Sequence, residues 1–145
     1  MNLVMDANAL IAYLDNEEGA DVVEALLTDP ANTCYAHAVN ICEVYYDFVR
    51  RADAATAWAF IERLAEAGVT IREDMDAEFW RRAGQHKAEI VRVSLADCFC
   101  LTLAHRLNAQ LATADHHEFD KVAESGICDI RFIRPAAAEP NADGD

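Results

Sequence analysis

Several features that define common protein classes are missing from this sequence. No run of 18 or more apolar residues occurs, so we expect no membrane-spanning helix. No basic region followed by an apolar stretch opens the chain, so we expect no signal peptide and a cytoplasmic location. No Cys-x-x-Cys pair occurs, which argues against a zinc or redox motif.

Glycine and basic residues are also scarce. Only five glycines occur, and none forms a glycine-rich phosphate loop, which counts against a metal-dependent phosphatase. The 12 lysines and arginines face 26 acidic residues, so the net charge is −14. This balance disfavours a large nucleic-acid-binding surface. It leaves solubility, a basic partner or an acidic metal site as explanations.

Short apolar runs alternate with segments of helical periodicity along the chain. The runs predict five strands, at 2–5, 33–36, 69–72, 109–113 and 129–133. The periodicity predicts seven helices, at 7–14, 17–27, 39–51, 53–67, 76–90, 94–107 and 118–124. This alternation is typical of an α/β fold in which helices cover both faces of a parallel sheet. The length fits a single domain over 1–134, and we expect the tail, 135–145, to be disordered.

Two aspartates follow predicted strands. Asp6 stands directly after the first strand, and Asp115 lies two residues beyond Thr113, where the fourth strand ends. Each could simply cap the helix that follows. Ligands in open α/β sheets, however, bind outside the carboxyl ends of the strands, which is where both acids would lie. The amide of Asn8 could orient a neighbouring acid.

Two further acids stand within apolar helices. Ser94 and Asp97 form a capping box, which needs no function, but a carboxylate there also gains from the helix dipole. Glu43 is flanked by Ile41 and Val44 on an apolar stripe. It is either a residue at the rim of an amphipathic helix or a partly buried acid with a partner.

The order VMDANALIAYL, VNICEVYYDF, SLADCFCLTLA and LATADHHEF resembles the PIN domain family. Within that family the chain looks most similar to the VapC-like ribonucleases, the toxins of bacterial type II toxin–antitoxin pairs. The resemblance covers residues 2 to about 133. It implies a three-layer α/β/α sandwich, a metal-dependent endoribonuclease that hydrolyses RNA, a cognate antitoxin partner and a homodimer.

The resemblance also implies an acidic site. Its four members would be Asp6, Glu43, Asp97 and Asp115. Thr113 would match the small hydroxyl residue of the family, and Asn8 the polar residue that follows the first acid. The chain departs from its relatives after the second strand, where Ala36 and His37 stand in place of serine or threonine. The roles of His116, His117 and Asp120, beside the last acid, stay open.

The repulsion between neighbouring carboxylates is consistent with a site that binds a cation. Two unit charges 4 Å apart repel by roughly 4 kcal/mol at an effective dielectric of 20, so converging carboxylates need cations among them. Oxygen ligands select hard ions such as Mg²⁺ or Mn²⁺. We expect Asp6, Glu43 and Asp97 to be the core ligands, and Asp115 to hold a second ion or position water.

Other functions remain open at this stage. The acids could be helix caps in a non-catalytic scaffold that recruits a basic protein partner. The scattered histidines are more typical of structural or exposed positions than of catalysis, and the cysteines of buried free thiols. A partner could place a basic side chain among the acids and dock apolar residues on the helices of 39–64, where Tyr45, Tyr46, Trp58 and Phe60 are available.

Overall fold

The computed structural model describes residues 1–137, and its centre is an all-parallel five-stranded sheet. The strands are β1 (Asn2–Met5), β2 (Thr33–His37), β3 (Val69–Arg72), β4 (Gln110–Thr113) and β5 (Ile130–Phe132). The predicted tail, 135–145, extends beyond Ala137, and its last eight residues lie outside the described part of the chain.

Within residues 1–137, seven helices cover the sheet, each at a predicted position. They are α1 (Ala7–Leu14), α2 (Ala20–Thr28), α3 (Ala38–Arg51), α4 (Ala54–Glu66), α5 (Ala77–Glu89), α6 (Leu95–Arg106) and α7 (His116–Ser125). Helices α1 to α4 share one apolar core with the sheet, and α5 to α7 form a second core against the opposite face. The predicted α/β/α sandwich with a parallel sheet is therefore confirmed.

The strand order is β3-β2-β1-β4-β5, so the chain changes direction across the sheet between β1 and β4. Strand β1 is the middle strand, and its Leu3, Val4 and Met5 are completely buried because helices cover both faces. In such sheets the crevice at the change of direction, outside the carboxyl ends of the strands, is the preferred ligand site.

Two helix boundaries differ from the prediction by more than one residue. Helix α2 begins at Ala20 instead of residue 17, because Gly19 adopts a left-handed backbone with φ of 97°. A Cβ atom there would lie 2.8 Å from the carbonyl oxygen of Ile133, so glycine also permits close contact with the chain after β5. Helix α7 begins at His116 instead of residue 118, because the carboxylate of Asp115 caps its first turn.

The cysteines are all free, as expected from the sequence. Cys34, Cys98 and Cys100 are buried and Cys128 is half-buried, while Cys42 is exposed on α3. In residues 1–137 we find no helix with both the length and the apolar character that a bilayer crossing requires.

Candidate functional site

The candidate site lies at the carboxyl edge of the sheet. Asp6 follows the last residue of β1, and Asp115 follows the end of β4 by two residues. Because β1 and β4 are hydrogen-bonded neighbours, these two acids emerge side by side. This is the crevice where the strand order reverses, so the first and last of the predicted site acids occupy the position that favours ligand binding.

Asp6 is a completely buried acid held by two donors. The backbone N–H of Ala9 donates to its Oδ1 at 2.8 Å, which caps α1, and the hydroxyl of Thr113 donates to its Oδ2. Burial raises the pKa of Asp6 to about 7 from an ordinary value of 3.8. The two hydrogen bonds oppose this rise, and the negative charges of Asp115 and Glu43 add to it.

Thr113 connects the two strand-end acids. Besides donating to Asp6, its Oγ1 accepts a hydrogen bond from the backbone N–H of Asp115 at 3.0 Å. The Oδ1 of Asp115 in turn accepts from the N–H of Glu118 at 3.1 Å, so Asp115 caps α7. One hydroxyl therefore contacts both acids, and the supporting role expected for Thr113 stays a prediction. Both acids also cap helices, which is the purely structural role that the sequence allowed for them.

Glu43 is held from its own helix. The amide of Asn40, one turn earlier on α3, donates to Glu43 Oε1 at 3.1 Å and to the carbonyl of Ala96 at 3.2 Å. Burial raises the pKa of Glu43; the bond from Asn40 opposes the rise, and the charge of Glu118 adds to it. Asn40 thereby ties α3 to the first turn of α6, which carries Asp97.

Asp97 is nearly buried at the start of α6, with 8% of its surface exposed. The hydroxyl of Ser94 donates to Asp97 Oδ2 at 2.8 Å and accepts from the Asp97 N–H at 3.1 Å. Ser94 therefore caps α6 as predicted, while the carboxylate of Asp97 accepts from the Ser94 hydroxyl instead of the backbone N–H that a standard capping box uses. The thiol of Cys100 donates to the Asp97 carbonyl at 3.1 Å, and its pKa is raised far above its usual value by burial, with contributions from Asp6 and Glu43.

These contacts bring the predicted acids to one region without forming a finished metal site. Asp6 is electrostatically coupled to Asp115 and Glu43, and Asn40 bridges Glu43 to the turn of Asp97. Within residues 1–137, no three acidic, histidine or cysteine side chains are arranged so that they could hold a metal ion. Asp6, Glu43 and Asp97 each point at least one carboxylate oxygen at a side-chain donor of the protein.

The donor chemistry nevertheless suits a hard cation. All four candidates offer carboxylate oxygens, which Mg²⁺ and Mn²⁺ prefer. The buried Oδ1 of Asn40 has no hydrogen-bond partner in residues 1–137, beside a carboxylate whose pKa is already raised. A cation or its water would satisfy such an oxygen and relieve the repulsion. The assignment of Asp6, Glu43, Asp97 and Asp115 as metal ligands stays a prediction.

Sequence reasoning missed two polar residues of this region. Asn40 is completely buried, and an asparagine inside the apolar stripe of α3, three residues before Glu43, was the available signal. Glu118 stands in the first turn of α7, and its influence on Glu43 depends on how α7 and α3 face each other. No local pattern could have revealed that relationship.

Comparison with known families identifies the chain. The family model of the PIN domain matches residues 3–125, which include all four candidate acids. The chain belongs to the PIN domain family. The resemblance in the four sequence segments is thus confirmed. No curated protein matches the sequence.

Solved structures similar to this PIN domain include VapBC proteins, a family of toxin–antitoxin systems. VapBC2 from Rickettsia felis, bound to a promoter DNA fragment, has a TM-score of 0.71 at 16% identity, covering 91% of this chain and 98% of that one. VapBC-1 from nontypeable Haemophilus influenzae has a TM-score of 0.70 at 18% identity, covering 92% of this chain and 98% of that one. VapBC-5 from Mycobacterium tuberculosis has a TM-score of 0.57 at 26% identity, and it also covers 92% of this chain and 98% of that one.

The departure after β2 has a structural explanation in this PIN domain. His37 caps α3: its Nδ1 accepts from the N–H of Val39 at 3.0 Å, and its Nε2 donates to the carbonyl of Asp74 at 2.8 Å. The ring also stacks on Phe79, with centroids 5.2 Å apart. Histidine therefore supplies the cap that serine or threonine would supply, and anchors the start of the helix that carries Glu43.

The residues left open beside Asp115 have structural contacts. His116 stacks on Phe132 at 3.8 Å and contacts Asp120 Oδ1 at 2.9 Å and the carbonyl of Arg134 at 2.7 Å. Burial lowers the pKa of His116, but the contacts with Arg134 and Asp120 outweigh it and leave the pKa raised. His117 is exposed. Asn8 is exposed and makes no hydrogen bond to the four acids within residues 1–137, so its orienting role stays a prediction.

Proposed function

We propose that this chain is an Mg²⁺- or Mn²⁺-dependent endoribonuclease that hydrolyses RNA phosphodiester bonds. The observation that carries the proposal is the buried Asp6, whose pKa of about 7 reflects burial and the nearby charges of Asp115 and Glu43. Perturbed carboxylates in the crevice of an α/β sheet are typical of functional sites. Family membership supports a nuclease, because the VapC-like proteins that the sequence resembles are ribonucleases.

Each residue has a definable task in this proposal. Asp6, Glu43 and Asp97 would be the core ligands of the cation, directly or through water, and Asp115 would hold a second ion or position water. Thr113, Asn40 and Ser94 act as positioning residues, since each fixes one oxygen of an acid. The chemistry supplied by a bound divalent cation is polarisation of the phosphate and activation of water.

We further propose that the chain is the toxin of a type II toxin–antitoxin pair. Solved structures similar to it include VapBC proteins, and one from Klebsiella pneumoniae is a toxin–antitoxin complex. A groove of about 360 Å³ between α3 and α4 is lined by apolar side chains: Ala38, Ile41, Cys42, Tyr45, Trp58 and Ile61. Trp58 is 58% exposed although it is apolar. Such a surface fits apolar side chains of a partner.

The partner would also engage the acids. The helix that lines this groove carries Glu43, so one segment could dock on the groove and extend a lysine or arginine toward the carboxylates. Of the aromatic residues considered, Tyr46 and Trp58 are exposed and available, while Tyr45 and Phe60 pack against the core. A homodimer and a cytoplasmic location remain predictions.

The test compares the parent with Asp6→Asn and with Asp129→Asn, an exposed aspartate at the opposite edge of the sheet that accepts from Gln110 at 2.9 Å. Total RNA is incubated with Mn²⁺ or Mg²⁺, and cation binding is measured separately by calorimetry. We expect Asp6→Asn to lose cleavage and cation binding and Asp129→Asn to retain both. Equal cleavage by Asp6→Asn would overturn the site, and no cleavage by the parent would favour the scaffold function.

A further inference from the structure

We propose that a groove between the α5–α6 connection and α7 binds the phosphate backbone of single-stranded RNA beside the acidic site. This groove has a volume of about 490 Å³ and is lined by Glu89, Ile90, Val91, Arg92, Lys121 and Ser125. The inference rests on the proposed ribonuclease function and adds the path that the substrate takes across the surface. We call this surface the 92/121 groove.

The walls of the 92/121 groove are continuous with the elements of the acidic site. Arg92 lies two residues before Ser94, the cap that holds Asp97. Lys121 lies three residues after Glu118 on α7, so the two side chains share one face of the helix. Because Glu118 influences the pKa of Glu43, this face begins at the acidic site and leads to Lys121. A strand with a phosphate at the acids could continue into the groove.

The charges of the groove are available to a ligand. Five arginines form salt bridges with carboxylates: Arg50, Arg51, Arg72, Arg106 and Arg134. Arg92 and Lys121 are exposed and form no salt bridge within residues 1–137. Within residues 1–137, neither side chain is therefore held in an ion pair that a phosphate would have to break.

Salt screens electrostatic interactions beyond a short distance, so these two cations can attract a phosphate locally although the protein is acidic overall. At physiological salt, charges separated by more than about 8 Å are largely screened, so an RNA strand responds to the local charge more than to the net charge of −14. The groove holds two cations and one carboxylate, Glu89, whose Oε1 accepts from Gln85 at 3.1 Å. The lining of the groove therefore carries one net positive charge next to a site that would otherwise repel phosphate, and Glu118 stands between the two on α7.

The connection that presents Arg92 is anchored to the fold. Lys87 donates from Nζ to the carbonyl of Val91 at 3.1 Å, and the N–H of Val93 donates to the carbonyl of Ile90 at 3.3 Å. Val93 is completely buried, although Val91 is 79% exposed. Arg92 thus projects from a turn that is held on both sides, which reduces the ordering cost of binding.

A matched control is available on α5. Arg81 and Arg82 also form no salt bridge within residues 1–137, and they line a separate concavity with Glu78 and Gln85. They stand in the first half of α5, whereas the 92/121 groove begins at the last residue of that helix. Replacing either pair by glutamine removes the same charge, so any difference reports location.

The experiment measures RNA binding without cleavage. The Asp6→Asn protein is titrated into a labelled single-stranded oligouridylate of about 12 nucleotides at several salt concentrations, and anisotropy gives the affinity. In this background we compare two double variants. One carries Arg92→Gln and Lys121→Gln, and the other carries Arg81→Gln and Arg82→Gln. Melting curves establish that each variant is folded. A further variant, Glu89→Gln, removes a negative charge from the groove, whereas the two double variants remove positive charges.

Two lost phosphate contacts should lower the slope of log affinity against log salt by about 1.4, so the loss of affinity should be about 25-fold larger than at a tenfold higher salt concentration. We expect this loss for the 92/121 pair, little change for the 81/82 pair, and tighter binding by Glu89→Gln. Equal losses from both pairs, or none, would overturn the proposal. A change in sedimentation without a change in RNA affinity would also overturn it, because the groove would then be an interface between copies.

The two proposals fail in different ways. Cleavage is assayed separately with the parent protein, so an inactive parent whose RNA binding depends on Arg92 and Lys121 would refute only the ribonuclease function. An active parent whose binding ignores these residues would refute only the groove. In an active parent, the double variant should raise KM for RNA with little effect on kcat, since neither residue touches the acids.

Discussion

Replacing Asp6 with asparagine should stabilise the metal-free protein at neutral and alkaline pH. The pKa of Asp6 is about 7 in the folded protein against an ordinary value of 3.8. Between these two pH values the folded chain binds the proton more tightly than the unfolded chain does. The free energy of unfolding therefore falls as the pH rises from about 4 to about 7, and the full penalty remains at higher pH.

The magnitude follows from the size of the shift. A difference of about 3 pKa units at about 1.4 kcal/mol each gives a penalty of about 4 kcal/mol, which asparagine avoids because it cannot ionise. Asparagine keeps an oxygen for the Ala9 N–H, but its amide would face the Thr113 hydroxyl, whose proton loses its acceptor. That loss costs roughly 1–3 kcal/mol at every pH. The net gain near pH 8 is then about 1–3 kcal/mol.

The assay is urea denaturation with a chelator present, at about pH 5 and about pH 8. Between these two pH values, the free energy of unfolding of the variant should rise by about 3 kcal/mol relative to that of the parent. In a thermal melt, each kcal/mol corresponds to roughly 2–4 °C in Tm. Asp129→Asn, at the opposite edge of the sheet, should show no such pH-dependent gain. If the difference between the parent and Asp6→Asn were the same at both pH values, Asp6 would not be the titrating group and the reasoning would be refuted.

Four other predictions concern the metal, the bridge between helices and the partner. Millimolar Mg²⁺ or Mn²⁺ should raise the Tm of the parent, and Asp97→Asn should blunt that response; a flat Tm in the parent would count against a shared ion site. Asn40→Ala should lower the free energy of unfolding by about 1–3 kcal/mol in urea titrations, because the Ala96 carbonyl loses its donor. Trp58→Ser should weaken binding of the cognate partner at least about tenfold in calorimetry with little effect on stability, since Trp58 is exposed. Replacing the partner's basic residue with alanine should weaken inhibition, and added Mg²⁺ should partly relieve it; equal inhibition at every metal concentration would show that the partner acts elsewhere.

Local patterns in the sequence were sufficient for the secondary structure and the sheet class. The periodicity of apolar residues predicted every strand and helix, because burial on a helix face or a strand repeats at a fixed interval. The alternation of the two predicted the parallel sheet. Boundaries followed less closely: α2 begins three residues later than predicted because Gly19 adopts a left-handed backbone, at a place where a Cβ atom would meet Ile133, which is distant in the sequence.

The candidate acids were also recognisable from local signals. Asp6 and Asp115 stand where strands end, and a parallel sheet places such ends along one edge. The pairing of Ser94 with Asp97 was visible in the sequence, and Ser94 caps α6 and contacts the Asp97 carboxylate. What the sequence determined by itself was therefore the position of each acid along an element, together with the capping role that each position allows.

The tertiary structure alone decided how those positions act on one another. The pKa of Asp6 depends on burial from all sides, on Thr113, which is 107 residues away, and on charges carried by other helices. The bridge from Asn40 to Ala96 joins α3 to α6, and the 92/121 groove exists because α7 packs beside the turn that follows α5. Desolvation and Coulomb interactions depend on distance in space, which apolar periodicity does not encode.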